Sequence, residues 1–85
     1  MPNSETLNDQ IEKHRLWVNG HEDGAQADFS GADLFGFCLA GINLSGAKFI
    51  GAKLRAVDFS GTDVSGSDFS RADLTRANFK NANLA

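Results

Sequence analysis

From Phe29 onward every fifth residue is apolar: Phe29, Leu34, Leu39, Leu44, Phe49, Leu54, Phe59, Val64, Phe69, Leu74, Phe79 and Leu84. An α-helix returns to one face every 3.6 residues and a strand every 2, so a period of five belongs to neither. The neighbouring positions are as regular. Two places before each centre stand Ala27, Ala32, Phe37, Ile42, Ala47, Ala52, Val57, Thr62, Ser67, Ala72, Ala77 and Ala82, most of them small. The residue directly before each centre is polar, Cys38 excepted, and Gly31, Gly36, Gly41, Gly46, Gly51, Gly61 and Gly66 mark backbone turns two places after. One large and one small residue pointing inward, with polar groups and glycine outward, describe a short side of a coil and its corner. Such a unit cannot bury its apolar side chain alone, so it must stack on a neighbour, as one side of a solenoid does.

The residues also argue for the number of sides. Four sides put positions twenty apart in columns: Phe29/Phe49/Phe69, Leu34/Leu54/Leu74, Leu39/Phe59/Phe79 and Leu44/Val64/Leu84. The outward positions then read Asp28/Lys48/Asp68 and Asp33/Lys53/Asp73, alternating in sign. With three sides, fifteen residues per turn, Asp58 would lie against Asp73 and the Phe and Leu columns would mix. Across a strand spacing of about 4.8 Å, opposite charges help by roughly 0.2–1 kcal/mol and like charges hurt. The pattern therefore predicts an all-β solenoid of about three four-sided coils.

Before Gly24 the composition changes. Residues 1–24 hold both histidines, Trp17 and Pro2, and are expected to form a capping helix and turn; 25–85 form the repeat domain. Leu7, Ile11, His14 and Val18 share one helical stripe with Trp17 beside it, predicting a helix from Ser4 to Asn19. Ser4 or Thr6 suits its N-cap, Glu5 and Asp9 its first turn, and Asn19-Gly20 its stop. About sixteen residues is marginal for an isolated helix, so this one must dock.

The units GADLF, GAKLR, RADLT, RANFK and NANLA resemble the A(D/N)LXX unit of pentapeptide repeat proteins, and the resemblance runs from Ala25 to Ala85. The segment IEKHRLWVNGHEDG is similar to the helical cap that precedes the repeats in many members, which implies a cap built on Ile11, His14 and Trp17. The resemblance implies a right-handed quadrilateral β-helix and a protein of the kind abundant in cyanobacteria. Phe37 and Ile42 depart from the family pattern, in slots that usually hold alanine, and are expected to meet the underside of the helix with Trp17.

Catalysis and cofactor binding find little support. Gly31 to Gly36 and Gly46 to Gly51 space their glycines like half of a phosphate loop, but Phe37 and Ala52 follow where Lys would be needed. Carboxylates such as Asp28 with Asp33 or Asp68 with Asp73 sit on a convex coil, where no concave pocket perturbs them. His14 and His21 lack a third metal ligand, and Cys38 lacks a pairing cysteine or an activating neighbour. No catalytic, cofactor or metal residue is expected.

A net charge of -3 does not suggest nucleic-acid binding, and no apolar run suits a membrane span or secretory signal. A cytoplasmic, non-catalytic interaction protein is expected, its protein partner not identified by the sequence, with Phe35, Ile50, Arg71 and Arg76 as the candidate surface. The resemblance offers an alternative, a DNA-mimicking protein that binds gyrase and confers quinolone resistance. Mimicry needs a negative rod, whereas Ala27 to Ala85 carries six acids and six bases. Three coils also make a rod only about 15 Å tall. Ice binding would want a threonine ladder, and Thr62 and Thr75 fall on different sides. The last coil presents an open edge, which invites pairing and predicts a homodimer through the C-terminal coil.

Overall fold

The computed structural model describes the backbone of residues 4–85 and the side chains of residues 7–85. One helix, α1, spans Ser4–Val18; the N-cap expected at Ser4 or Thr6 lies outside the described side chains. Its C-terminal end closes as the Asn19-Gly20 pair predicts. Gly20 takes φ +76°, its N–H donates to Trp17 O at 3.0 Å, and the His21 N–H reaches Leu16 O at 2.9 Å. These are the two bonds of a Schellman motif, which needs the left-handed residue that glycine supplies without steric cost.

From Asp28 the backbone returns beside itself every twenty residues. The parallel bridges Asp28↔Lys48↔Asp68, Asp33↔Lys53↔Asp73, Cys38↔Asp58↔Asn78 and Asn43↔Asp63↔Asn83 form four columns, one per side. The register is that of the four-sided reading. Phe29 N–H donates to Lys48 O at 2.7 Å while Lys48 N–H donates to Ala27 O at 3.0 Å, and the same exchange recurs one turn lower between Phe49, Asp68 and Ala47. Extended strands, expected of an all-β fold, do not form among the described residues; each side contributes an isolated bridge. The cause is the length of the unit. A corner with positive φ interrupts the chain every five residues, as at Gly31 (φ +72°) and Gly36 (φ +74°), leaving no room for a longer extended run.

Three layers of four side chains fill the interior. Phe29, Leu34, Leu39 and Leu44 make the first layer and Phe49, Leu54, Phe59 and Val64 the second, all buried. Phe49 stacks on Phe29 at 5.3 Å and on Phe69 at 4.9 Å, and Phe59 stacks on Phe79 at 4.9 Å. In the third layer Phe69, Leu74 and Phe79 are half-buried, and Leu84, expected in the core, is 64% exposed. No further layer stacks on them among the described residues. Leu7 joins the core cluster from α1, with Ile11 packed against it.

Candidate functional site

Two regions carry the polar chemistry of the molecule: the junction between α1 and the first turn, and the outer faces.

At the junction, His14 is fully buried. Its Nδ1 accepts the Ala27 N–H at 2.9 Å, so Nδ1 is bare, and Nε2 carries the proton it donates to Ser45 O at 2.8 Å. Burial holds this histidine below its ordinary range, against an opposing effect of the bond to Ser45. Trp17 tilts over the imidazole at 5.2 Å and covers the corner at Gly46, where an added Cβ would lie 3.2 Å from the indole. It stays 41% exposed. Phe37 and Ile42, expected beneath Trp17, are half-buried and pack against the core cluster. Gly24 seats the turn: an added Cβ would fall 2.2 Å from the Trp17 backbone N, and Ala25 N–H donates to Lys13 O at 3.0 Å. Of the residues assigned to the cap, His14 and Trp17 meet each other, and Ile11 packs on the core cluster. Gly24 gave no sequence signal beyond a change in composition.

On the outer faces, the alternating charges stand where the columns predict, but the carboxylates turn elsewhere. In nine of the twelve units the Asp or Asn before the centre accepts the backbone N–H two residues on, as in Asp58 to Ser60 at 2.9 Å and Asp68 to Ser70 at 2.9 Å. A local Asx turn needs no long side chain to be held in place and so outcompetes an exposed pair one turn away. Hydrogen bonds from Ser30, Ser60, Ser65, Ser70 and Thr75, side chain first and backbone second, hold Asp28, Asp58, Asp63, Asp68 and Asp73 below the usual carboxylate range. The inter-turn ion pair among the described residues is Arg55 with Asp73 at 3.8 Å, both well exposed. The spacing D-x-S or D-x-T was the signal that could have revealed these turns.

Of the candidate surface residues, Phe35 is 62% exposed. Its column continues through Arg55 and Thr75, since Gly36 N–H donates to Arg55 O and Ala56 N–H to Thr75 O. Ile50, expected outward beside it, is half-buried and belongs to the adjacent column between Ser30 and Ser70. Arg71 and Arg76 are exposed and occupy successive corners at φ +58° and +62°, slots that glycine fills higher in the coil. A shallow cavity of about 160 Å³ lies beside α1, lined by Gln10, Lys13, Ala25, Gln26, Ala27 and Asp28.

A backbone that returns every twenty residues, with a large and a smaller inward position in each five, defines a repeat protein assembled from five-residue units. The chain belongs to the pentapeptide repeat family: the model for pentapeptide repeats matches in eight copies over residues 27–65 and 52–85. No curated protein matches the chain.

Proposed function

We propose that the chain is a non-catalytic interaction protein, a right-handed quadrilateral β-helix capped by α1 whose rigid outer faces present side chains to another protein. Exposed Phe35 is the observation that supports it most directly, because the Asp33 carboxylate accepts the Phe35 N–H at 3.2 Å and the turn below is hydrogen-bonded to the same corner. A large apolar side chain on fixed backbone loses little freedom on binding. Arg71 and Arg76 flank its side and extend the surface. A cytoplasmic setting suits the lone exposed thiol of Cys38. The test is affinity capture from the native host with the wild-type chain, with Phe35→Ser, and with Arg71→Ala/Arg76→Ala. A partner held by the wild type and lost from Phe35→Ser, at unchanged stability, supports the surface; a partner set indifferent to all three substitutions removes it.

In this reading the third layer is covered by a second copy, with Arg71 and Arg76 pairing with Asp68 and Asp73 across a two-fold axis. Sedimentation at high concentration is expected to give a dimer, and a monomer there refutes the pairing. The gyrase-binding alternative requires a negative face. Lysine stands between the aspartates in two of the four columns, so no inhibition or protection is expected in a supercoiling assay.

A further inference from the structure

We propose that α1 is a proton-released lid: a proton added at His14 Nδ1 detaches the helix from the first turn of the coil, uncovering the layer of Phe29, Leu34, Leu39 and Leu44, while the lower turns stay folded.

The geometry requires one protonation state. The Ala27 N–H points at Nδ1 from 2.9 Å, so this nitrogen must offer a lone pair. Protonation there sets two N–H donors against each other and strands the Ala27 N–H in the interior. Rotating the ring does not help, because the opposite nitrogen is committed to Ser45 O at 2.8 Å, and an imidazolium has no acceptor at all. A buried donor left without a partner is among the costlier defects a fold can carry.

Among the described residues no neighbouring group offsets the new charge. On α1 the charged side chains around His14 pair with each other, Asp9 with Lys13 and Glu12 with Arg15. On the connecting turn Glu22 is exposed, and Asp23 lies beside His21, whose Nδ1 accepts the Asp23 N–H. On the first turn of the coil the Asp28 carboxylate is taken by Ser30 and Asn43 is neutral. On the second turn of the coil Lys48 is cationic, and Asp63 accepts from Ser65. Among the described residues no carboxylate bonds to the imidazole.

Release can be local. Among the described residues the polar bonds that tie α1 and its junction to the coil are those of His14, with Ala25 N–H to Lys13 O and Gln26 Nε2–H to Gly46 O alongside. The turns from Lys48 to Ala85 are joined by backbone bonds in which α1 takes no part. The sign follows from the depressed affinity of His14 for a proton when docked. The docked state binds fewer protons than the released one, so docking is strongest above the ordinary histidine value of about 6.5 and weakens as pH falls below it. Asp28, Asp58, Asp63, Asp68 and Asp73 are held below the usual carboxylate range by their Ser and Thr hydrogen bonds and so lie apart from this window.

Trp17, the single tryptophan, reports on the ring it covers. The experiment follows Trp17 emission and amide exchange in the full chain from about pH 8 to about pH 4.5. Loss of Ala27 protection is expected, in step with the Trp17 change, at a one-proton midpoint below about 6.5. The amides of Leu54, Phe59 and Val64 are expected to keep their protection. His14→Gln retains one donor and one acceptor without a titrating group, and its transition in this window is expected to vanish. The proposal is overturned if Ala27 stays protected throughout, if all turns open together, or if His14→Gln behaves as the wild type does. Should His14→Gln fail to fold, the nitrogen shifts of His14 in the wild type decide. A proton on Nδ1 at neutral pH, or a midpoint at or above the ordinary value, overturns it.

Discussion

Replacing Phe49 with alanine tests the columnar packing most directly. Phe49 is fully buried in the middle layer, stacked between Phe29 and Phe69 and meeting the edge of Phe59 at 5.8 Å. Phe49→Ala removes two stacks and one edge contact and leaves a void that rigid turns above and below cannot close. Phenylalanine-to-alanine changes in cores cost about 3–5 kcal/mol, and each lost aromatic pair accounts for about 0.5–1.5 kcal/mol beyond area. An 85-residue chain has a total stability of roughly 4–13 kcal/mol, so the variant keeps little margin. Urea unfolding followed by circular dichroism measures the loss. With a slope of about 1–3 kcal/mol per molar, the midpoint falls by at least about 1 M. Phe69→Ala serves as the internal comparison. Phe69 also meets three rings, one stacked and two edge-on, but is only half-buried, and its removal is expected to cost about 1.5–3 kcal/mol. A Phe49→Ala chain no less stable than Phe69→Ala would refute the claim that the columns hold the fold together.

Gly24→Ala places a Cβ 2.2 Å from the Trp17 backbone N, so α1 must shift; about 1–3 kcal/mol of docking should be lost, read as a changed Trp17 emission, and an unaltered spectrum counts against the tight seat. Thr62 is buried and its hydroxyl donates to Leu39 O at 2.7 Å. The near-isosteric Thr62→Val leaves that carbonyl unpaired and is expected to destabilise the chain by about 1–3 kcal/mol, measured by urea midpoint; a neutral result would show the hydroxyl to be dispensable. Asp28, Asp58, Asp63, Asp68 and Asp73 are all depressed in the folded chain, chiefly by hydrogen bonds from the Ser or Thr two residues on. Their contribution is therefore present above the ordinary aspartate value of about 3.9 and is lost as pH falls through the lower folded values. Thermal midpoints at about pH 5 should exceed those at about pH 2.5, and equal midpoints would deny the Asx turns any share in stability.

The coil was legible because its signal is periodic. Phe29, Phe49 and Phe69 announce their own column, and the bridges Asp28↔Lys48↔Asp68 fall in the register that charge alternation selects. Side-chain direction was less legible. Alternating signs suggested pairing between turns, yet a carboxylate has a nearer donor two residues along its own chain, and local geometry wins. Ile50 is less exposed than Phe35 although both follow a centre, because a five-residue period does not say how deeply that position is tucked into its corner. The helical stripe placed His14 in the cap, but its two bonds join residues 13 and 31 positions away. Only the folded chain brings Ala27 and Ser45 to one ring. Gly24 is similar: its need for a bare Cα comes from the Trp17 backbone across the turn.

The twenty-residue return between bridges imposes a reading frame on the folded chain. Inserting a single residue after Gly46 would send the residue before each later centre inward, so Lys48, Lys53 and Asp58 would arrive where Phe49, Leu54 and Phe59 belong. Lengthening by a whole multiple of twenty would leave every column intact and raise the tower by one strand spacing, about 4.8 Å, per block. Growth and loss in such a chain are quantised, and a gain or loss of a few residues within the coil displaces every column that follows it.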